Sequence, residues 1–171
     1  MADNKGREFL DNDLDDEEDE DTQKDKYLTF HLAQEEYGVE LYYVLEVIGM
    51  QKITEMPDMP AFIKGLINLR GQVIPVMDVR LRFGMEPREY DERTCVVVVN
   101  IQDISIGLVV DEVEEVLNIP KEQVQPPPKI SRMEGGRFIQ GLGKVGDGVK
   151  ILLDVNELLF EEELEQVASA G

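Results

Sequence analysis

From Tyr27 onward, apolar and polar residues trade places in short runs of the kind that strands make. Tyr27-Leu28-Thr29-Phe30-His31-Leu32 alternates faces, Gln34-Glu35-Glu36 turns, and Tyr37-Gly38-Val39-Glu40-Leu41 resumes, which predicts a hairpin. A second hairpin is predicted from Thr94 to Val99, through a turn between Asn100 and Asp103, and on from Ile104 to Val110. The consecutive valines Val96 to Val99 leave no polar face, so both faces of that strand should be covered. Helices are few. Pro60 opens a short turn that ends at Gly65, Asp78 caps a turn through Val79-Arg80-Leu81, and Asp154 with Glu157 starts a helix over Asn156 to Val167.

The pattern occurs twice. Gly38 to Ile48 superposes without gaps on Gly107 to Leu117, an offset of 69 residues. Phe62-Ile63-Lys64-Gly65-Leu66 and Val73 to Val79 superpose on Phe138-Ile139-Gln140-Gly141-Leu142 and Val149 to Val155, an offset of 76, with Asp78 over Asp154. The second copy therefore carries seven extra residues, placed where Pro126-Pro127-Pro128 sits. Two copies, each of about five short strands, suggest a duplicated small β-barrel.

Charge refines this picture. The chain has 37 acidic and 17 basic residues, a net charge of −20, which makes a nucleic-acid backbone or an anionic membrane surface a poor partner. Residues 1–26 hold 12 acids and 4 bases, and that leader is expected to be disordered and solubilising because it offers too little apolar surface to offset ordering. The folded part is expected over 27–160, with halves at about 27–90 and 91–155, followed by a C-terminal helix and tail over 156–171. The longest apolar run, Cys95 to Val99, is far below the roughly 18 residues that span a bilayer, so neither membrane insertion nor a secretory leader is expected. Cys95 is the only cysteine and His31 the only histidine, too few for an internal disulfide or a Cys/His zinc site. A reducing, cytoplasmic setting without cofactors follows as the expectation.

Nucleophilic catalysis needs a Ser or Cys beside a base. His31 alternates with Phe30 and Leu32 and reads as a hairpin surface residue, and Cys95 opens an apolar strand and reads as a structural thiol. The glycine-rich Gly141 to Gly148 lacks the Lys-Ser/Thr ending of a phosphate loop and reads as tight turns. One enzymatic alternative is an acidic hydrolase in which Asp78 and Asp154, one from each half, share a proton. The residues that follow them, Val79-Arg80 and Val155-Asn156, are not the small hydroxyl residue and glycine of such a site, which favours helix capping. Arg70 interrupts an apolar stretch at Asn68-Leu69-Arg70-Gly71-Gln72, its counterpart in the second copy is Gly146, and Glu46 is its most attractive partner.

Tyr37-Gly38-Val39 with Val44 to Ile48, the block Pro60 to Arg80, Gly107 to Asp111 and Gly141-Leu142-Gly143 together resemble the CheW family of chemotaxis coupling proteins. The likeness spans residues 27 to 160, and the stretch from Asn68-Leu69-Arg70-Gly71 to Pro75-Val76-Met77-Asp78 is its most specific part. It implies a mainly β fold of two intertwined five-stranded SH3-like barrels with short helices. It also implies a non-catalytic adaptor that couples the cytoplasmic tip of methyl-accepting chemoreceptors to the regulatory domain of the histidine kinase CheA, in arrays at the inner membrane. By position, the resemblance assigns the receptor-facing groove to Val44, Glu46, Gly65, Arg70, Gly71, Val96 and Val116, and kinase contacts to Gln125 and Ile130. For Val44, Val96 and Val116, ordinary barrel core is an equal reading. Gln125 and Ile130 depart from the arginine and aromatic that many relatives carry there.

Overall fold

The computed structural model describes residues 23–127 and 137–159. Residues 1–22 of the acidic leader, Ile130 and the helix expected beyond Leu159 lie outside those residues, while the leader's last four residues are described and Lys26 already lies in a strand. In chain order the strands are β1 (Lys26–Leu32), β2 (Glu35–Glu40), β3 (Val44–Gly49), β4 (Ile63–Leu69), β5 (Gln72–Asp78), β6 (Cys95–Ile101), β7 (Ile104–Val110), β8 (Glu112–Asn118), β9 (Val124–Gln125), β10 (Ile139–Val145) and β11 (Gly148–Leu153). Two short helices, α1 (Val79–Arg82) and α2 (Val155–Leu159), follow β5 and β11. Asp78 caps α1 by accepting from the Leu81 N–H, and Asp154 accepts from the Glu157 N–H at the start of α2.

The strands form two sheets, in the orders β8-β1-β2-β11-β10-β9 and β3-β6-β7-β5-β4. Replacing each strand of the first sheet by its counterpart in the other repeat, and leaving out the two-residue β9, gives the order of the second sheet. Each sheet therefore takes an opening hairpin from one repeat and three strands from the other. The seam is a parallel pair, β2 with β11 in one sheet and β5 with β7 in the other. This exchange is what intertwines the halves.

A large apolar core joins the sheets. It contains Phe30, Leu32 and Val39 from the first and Val97, Val99, Leu108 and Val110 from the second. Behind it each sheet has a core of its own: Ile67, Ile74, Val76, Val96, Val98 and Val109 in one, Tyr27, Ile119 and Leu152 in the other. The run Val96 to Val99 thus feeds two cores from alternate residues, which is why it needs no polar face. At the centre, the buried Arg82 guanidinium lies over the rings of Phe62 and Phe138 at 4.5 and 4.7 Å and donates to the Leu158 carbonyl at 3.1 Å. Phe62 and Phe138 are equivalent residues of the two repeats, so one cation clasps both.

Three local expectations are corrected. The first hairpin turns at Ala33-Gln34, with Glu35 and Glu36 already in β2, because Ala33 takes the left-handed conformation. The second turns at Gln102-Asp103, leaving Asn100 in β6. The turn opened by Pro60 closes at Ile63, whose N–H donates to the Pro60 carbonyl, and Gly65 lies inside β4. Gly65 is there for proximity. A Cβ at this position would stand 2.2 Å from the Thr54 carbonyl oxygen, and Thr54 pairs with Leu66 through two 2.8 Å backbone bonds. Its counterpart Gly141 admits β9 in the same way, with Val124 2.7 Å from the missing Cβ.

Candidate functional site

Strands β3 and β4 are the two ends of the second sheet, and the turn after β4 carries Arg70. Arg70 and Gly71 both have positive φ, the conformation of a tight two-residue hairpin turn, and the Asn68 side-chain oxygen accepts from the Gly71 N–H at 2.9 Å. From this turn the Arg70 guanidinium reaches the Glu46 carboxylate on β3. The ion pair therefore joins the two ends of the sheet, which must curl for them to meet. Arg70 remains 69% exposed, so its remaining donors face solvent. In the other sheet the equivalent positions are Glu115 and Gly146, so that turn carries no guanidinium of its own.

β3 is an edge strand with apolar residues on both faces. Val44 and Ile48 pack inward, whereas Leu45 and Val47 are 60% and 40% exposed, and Tyr42 stands out just before them. Val73, on the strand that leaves the Arg70 turn, is exposed as well. An edge strand carrying such residues is normally covered by a partner. The structure thus brings Val44, Glu46, Arg70 and Gly71 to one rim, with Gly65 inside the hairpin that carries Arg70. Val96 sits opposite Ile48 but is fully buried, so it forms the wall behind the rim and not its surface. Val116 is on the edge strand of the other sheet, exposed, at the position equivalent to Val47. Gln125 is exposed on β9 and Ile130 lies outside the described residues.

Sequence reasoning missed Tyr42, Leu45, Val47 and Val73. A signal was available: Val44-Leu45-Glu46-Val47-Ile48 has apolar residues at both parities, which on an edge strand leaves one set uncovered.

A second charged cluster anchors the connection between the repeats. Asp111 accepts from Arg80 Nε and Nη2 at 2.8 and 2.7 Å, from the Ala33 N–H at 2.8 Å, and pairs with Arg88 at 3.1 Å. Burial alone would push its carboxyl up, but the Arg80 and Ala33 hydrogen bonds and the nearby cations hold it below the ordinary carboxylate range. The Tyr90 hydroxyl donates to Asp78 at 2.7 Å, and burial together with that bond raises its phenol well above the ordinary value. Asp78 thus spends one oxygen on its helix and the other on a tyrosine, and Asp154 caps α2. Both carboxylates are occupied by capping, which gives the hydrolase alternative no support.

These features define a duplicated two-sheet β protein whose distinctive surface is a partly apolar rim where the two ends of one sheet meet. The CheW-like domain family matches residues 26–163, and the chain belongs to it. The chain is 38% identical over 142 residues to chemotaxis protein CheW of Klebsiella aerogenes, covering 83% of this chain and 86% of the relative. It is 29% identical over 146 residues to chemotaxis protein CheW of Treponema pallidum, covering 83% and 86%. The crystal structure of the scaffolding protein TtCheW from Thermoanaerobacter tengcongensis is similar at a TM-score of 0.75 and 35% identity, covering 81% of this chain and 94% of that one. The mainly β class expected from the sequence is the one found, built as two sheets, and the chain's work is that of a non-catalytic chemotaxis scaffold. Among the described residues no helix is long and apolar enough to cross a membrane.

Proposed function

We propose that this chain bridges the cytoplasmic tip of a methyl-accepting chemoreceptor and the regulatory domain of the kinase CheA, within arrays at the inner membrane. The receptor side is the rim of the second sheet. A receptor helix lays its apolar stripe against Val44 and the exposed Leu45 and Val47, while Arg70 and Glu46 set its orientation. Gly71 lets the turn hold Arg70 outward, Gly65 fixes the hairpin behind it, Val96 backs the surface, and Val116 extends the contact to the other sheet. The kinase side is placed on Gln125 and Ile130, in the segment that the second repeat adds. The observation that supports this reading above others is the Arg70–Glu46 pair at the join of the sheet's two ends, beside uncovered apolar residues.

Exposed ion pairs contribute only about 0–1 kcal/mol, so Arg70→Glu should fold with nearly unchanged stability. It should nevertheless weaken co-purification with a receptor cytoplasmic fragment by about tenfold, roughly the 1.4 kcal/mol of one oriented charged contact. Capture of the CheA regulatory domain should be retained. A folded Arg70→Glu protein that binds the receptor fragment as well as the parent does would remove this rim from the receptor side. Failure to bind either fragment would overturn the bridging role itself.

A further inference from the structure

Four neighbouring strands of the first sheet, β8, β1, β2 and β11, place polar residues in a staggered row: Lys150 pairs with Glu36, Glu36 stands opposite His31, and Glu114 reaches His31 from two residues beyond Glu112, the residue opposite it in register. The row lies on the face turned away from the shared core, since His31 has the parity of Tyr27 and Thr29 and not of Phe30 and Leu32. The equivalent row of the second sheet is Leu45, Asn100, Ser105 and Ile74, where the only polar contact is a neutral 2.8 Å bond from Asn100 to Ser105. The two sheets thus share the backbone arrangement, and one of them has filled it with ligating groups drawn from both repeats.

We propose that His31, Glu36 and Glu114 bind one divalent transition-metal ion of the zinc class. One ligand atom from each lies within 4.8 Å of the other two, and His31 Nδ1 is 3.4 Å from Glu114 Oε2. Two donors at roughly 2.0–2.2 Å from a tetrahedral ion stand about 3.4 Å apart, so this edge of the polyhedron is already in place. Glu36 needs only a side-chain adjustment to close the third position. Glu36, Glu114 and the neighbouring Glu112, set against the Lys150 ammonium, leave two negative charges to balance a dication, and an imidazole selects zinc-like ions over magnesium or calcium. The Lys150 ammonium is bound to one oxygen of Glu36, leaving the other for the ion and serving as the supporting hydrogen bond that ligating carboxylates usually have. Glu112, opposite His31 in register, adds negative charge beside the site. The fourth position is open to water or to a side chain from a partner. Counting only cysteine and histidine, as the sequence invites, hides this site because its other ligands are glutamates on different strands.

The test uses the untagged full chain titrated with Zn2+ by calorimetry, with Mg2+ as a control for loose binding by the acidic leader. Because His31 is the only histidine, its ring resonances in an NMR titration report on this site alone. One Zn2+ per chain should bind and shift those resonances, with saturation at one equivalent. Glu114→Gln and Glu36→Gln should each weaken binding by about tenfold or more, the loss that even supporting partners of metal ligands cause. His31→Asn, which installs the residue of the other sheet, should abolish it. Circular dichroism of the metal-free variants checks that the strands are intact. Unmoved His31 ring signals, or Zn2+ affinity unaffected by both glutamate substitutions, would overturn the proposal. The second outcome would assign the binding to a lone imidazole or to the leader.

Discussion

The carboxylate of Asp111 gathers two side-chain nitrogens of Arg80, the Ala33 N–H and Arg88. Removing it leaves Arg80 largely buried without its counter-charge, so Asp111→Ala should cost about 3 kcal/mol in urea denaturation. Its folded-state pKa lies below the unfolded value of about 3.9, so the stability it adds is present above that pH and is lost as pH falls through the folded value. Glu40 acts in the opposite direction. Burial raises its pKa, only partly offset by a hydrogen bond with Gln140, so its charge penalises the folded state at neutral pH and the penalty lifts on mild acidification. A stability curve against pH should therefore steepen at its acid end in the parent, flatten there in Asp111→Asn, and lose its mildly acidic rise in Glu40→Gln. An acid end unchanged by Asp111→Asn would remove that carboxylate from the account.

At the level of elements, the hairpins decide most of the architecture, and much of that was legible beforehand. The unbroken valines of Val96 to Val99 predict a burial pattern that β6 displays, whereas the alternation in Tyr27 to Leu32 does not appear as alternating exposure, because Tyr27 to Phe30 are all buried and the second face of β1 meets a small core of its own. The duplicated blocks predict that Arg70 and Gly146 occupy matching turns, and both begin a two-residue turn at positive φ. The role of Gly65 was not legible, because its reason is a segment eleven residues upstream that approaches the backbone through space. Gly65→Ala should push Thr54 away, which amide exchange would detect as faster exchange at Thr54 and Leu66 with the rest of β4 less affected. The Arg70–Glu46 pair was visible only as an attractive match, since sequence spacing does not reveal that a sheet's two ends meet.

For the whole molecule, the decisive residue is Arg82, which sequence reading passed over because a helical arginine ordinarily points to solvent. Buried between Phe62 and Phe138 and bonded to α2, it ties together equivalent points of both repeats. Arg82→Ala should cost about 3 kcal/mol from two desolvated cation–π contacts and a charged hydrogen bond. It should lower a single calorimetric transition, because the sheets share one core; two separated transitions would show that they unfold independently.

Neither repeat contains a finished sheet. The first supplies β1 and β2 to one and β3, β4 and β5 to the other, and the second repeat makes the reverse gift. A chain severed within residues 84–93 should therefore give two fragments that stay unstructured apart and recover the native spectrum when mixed, each acting as the template its counterpart lacks. By the same logic, a polypeptide holding one repeat alone would be driven to find a second copy of itself, the arrangement from which a fused and later diverged pair could have descended.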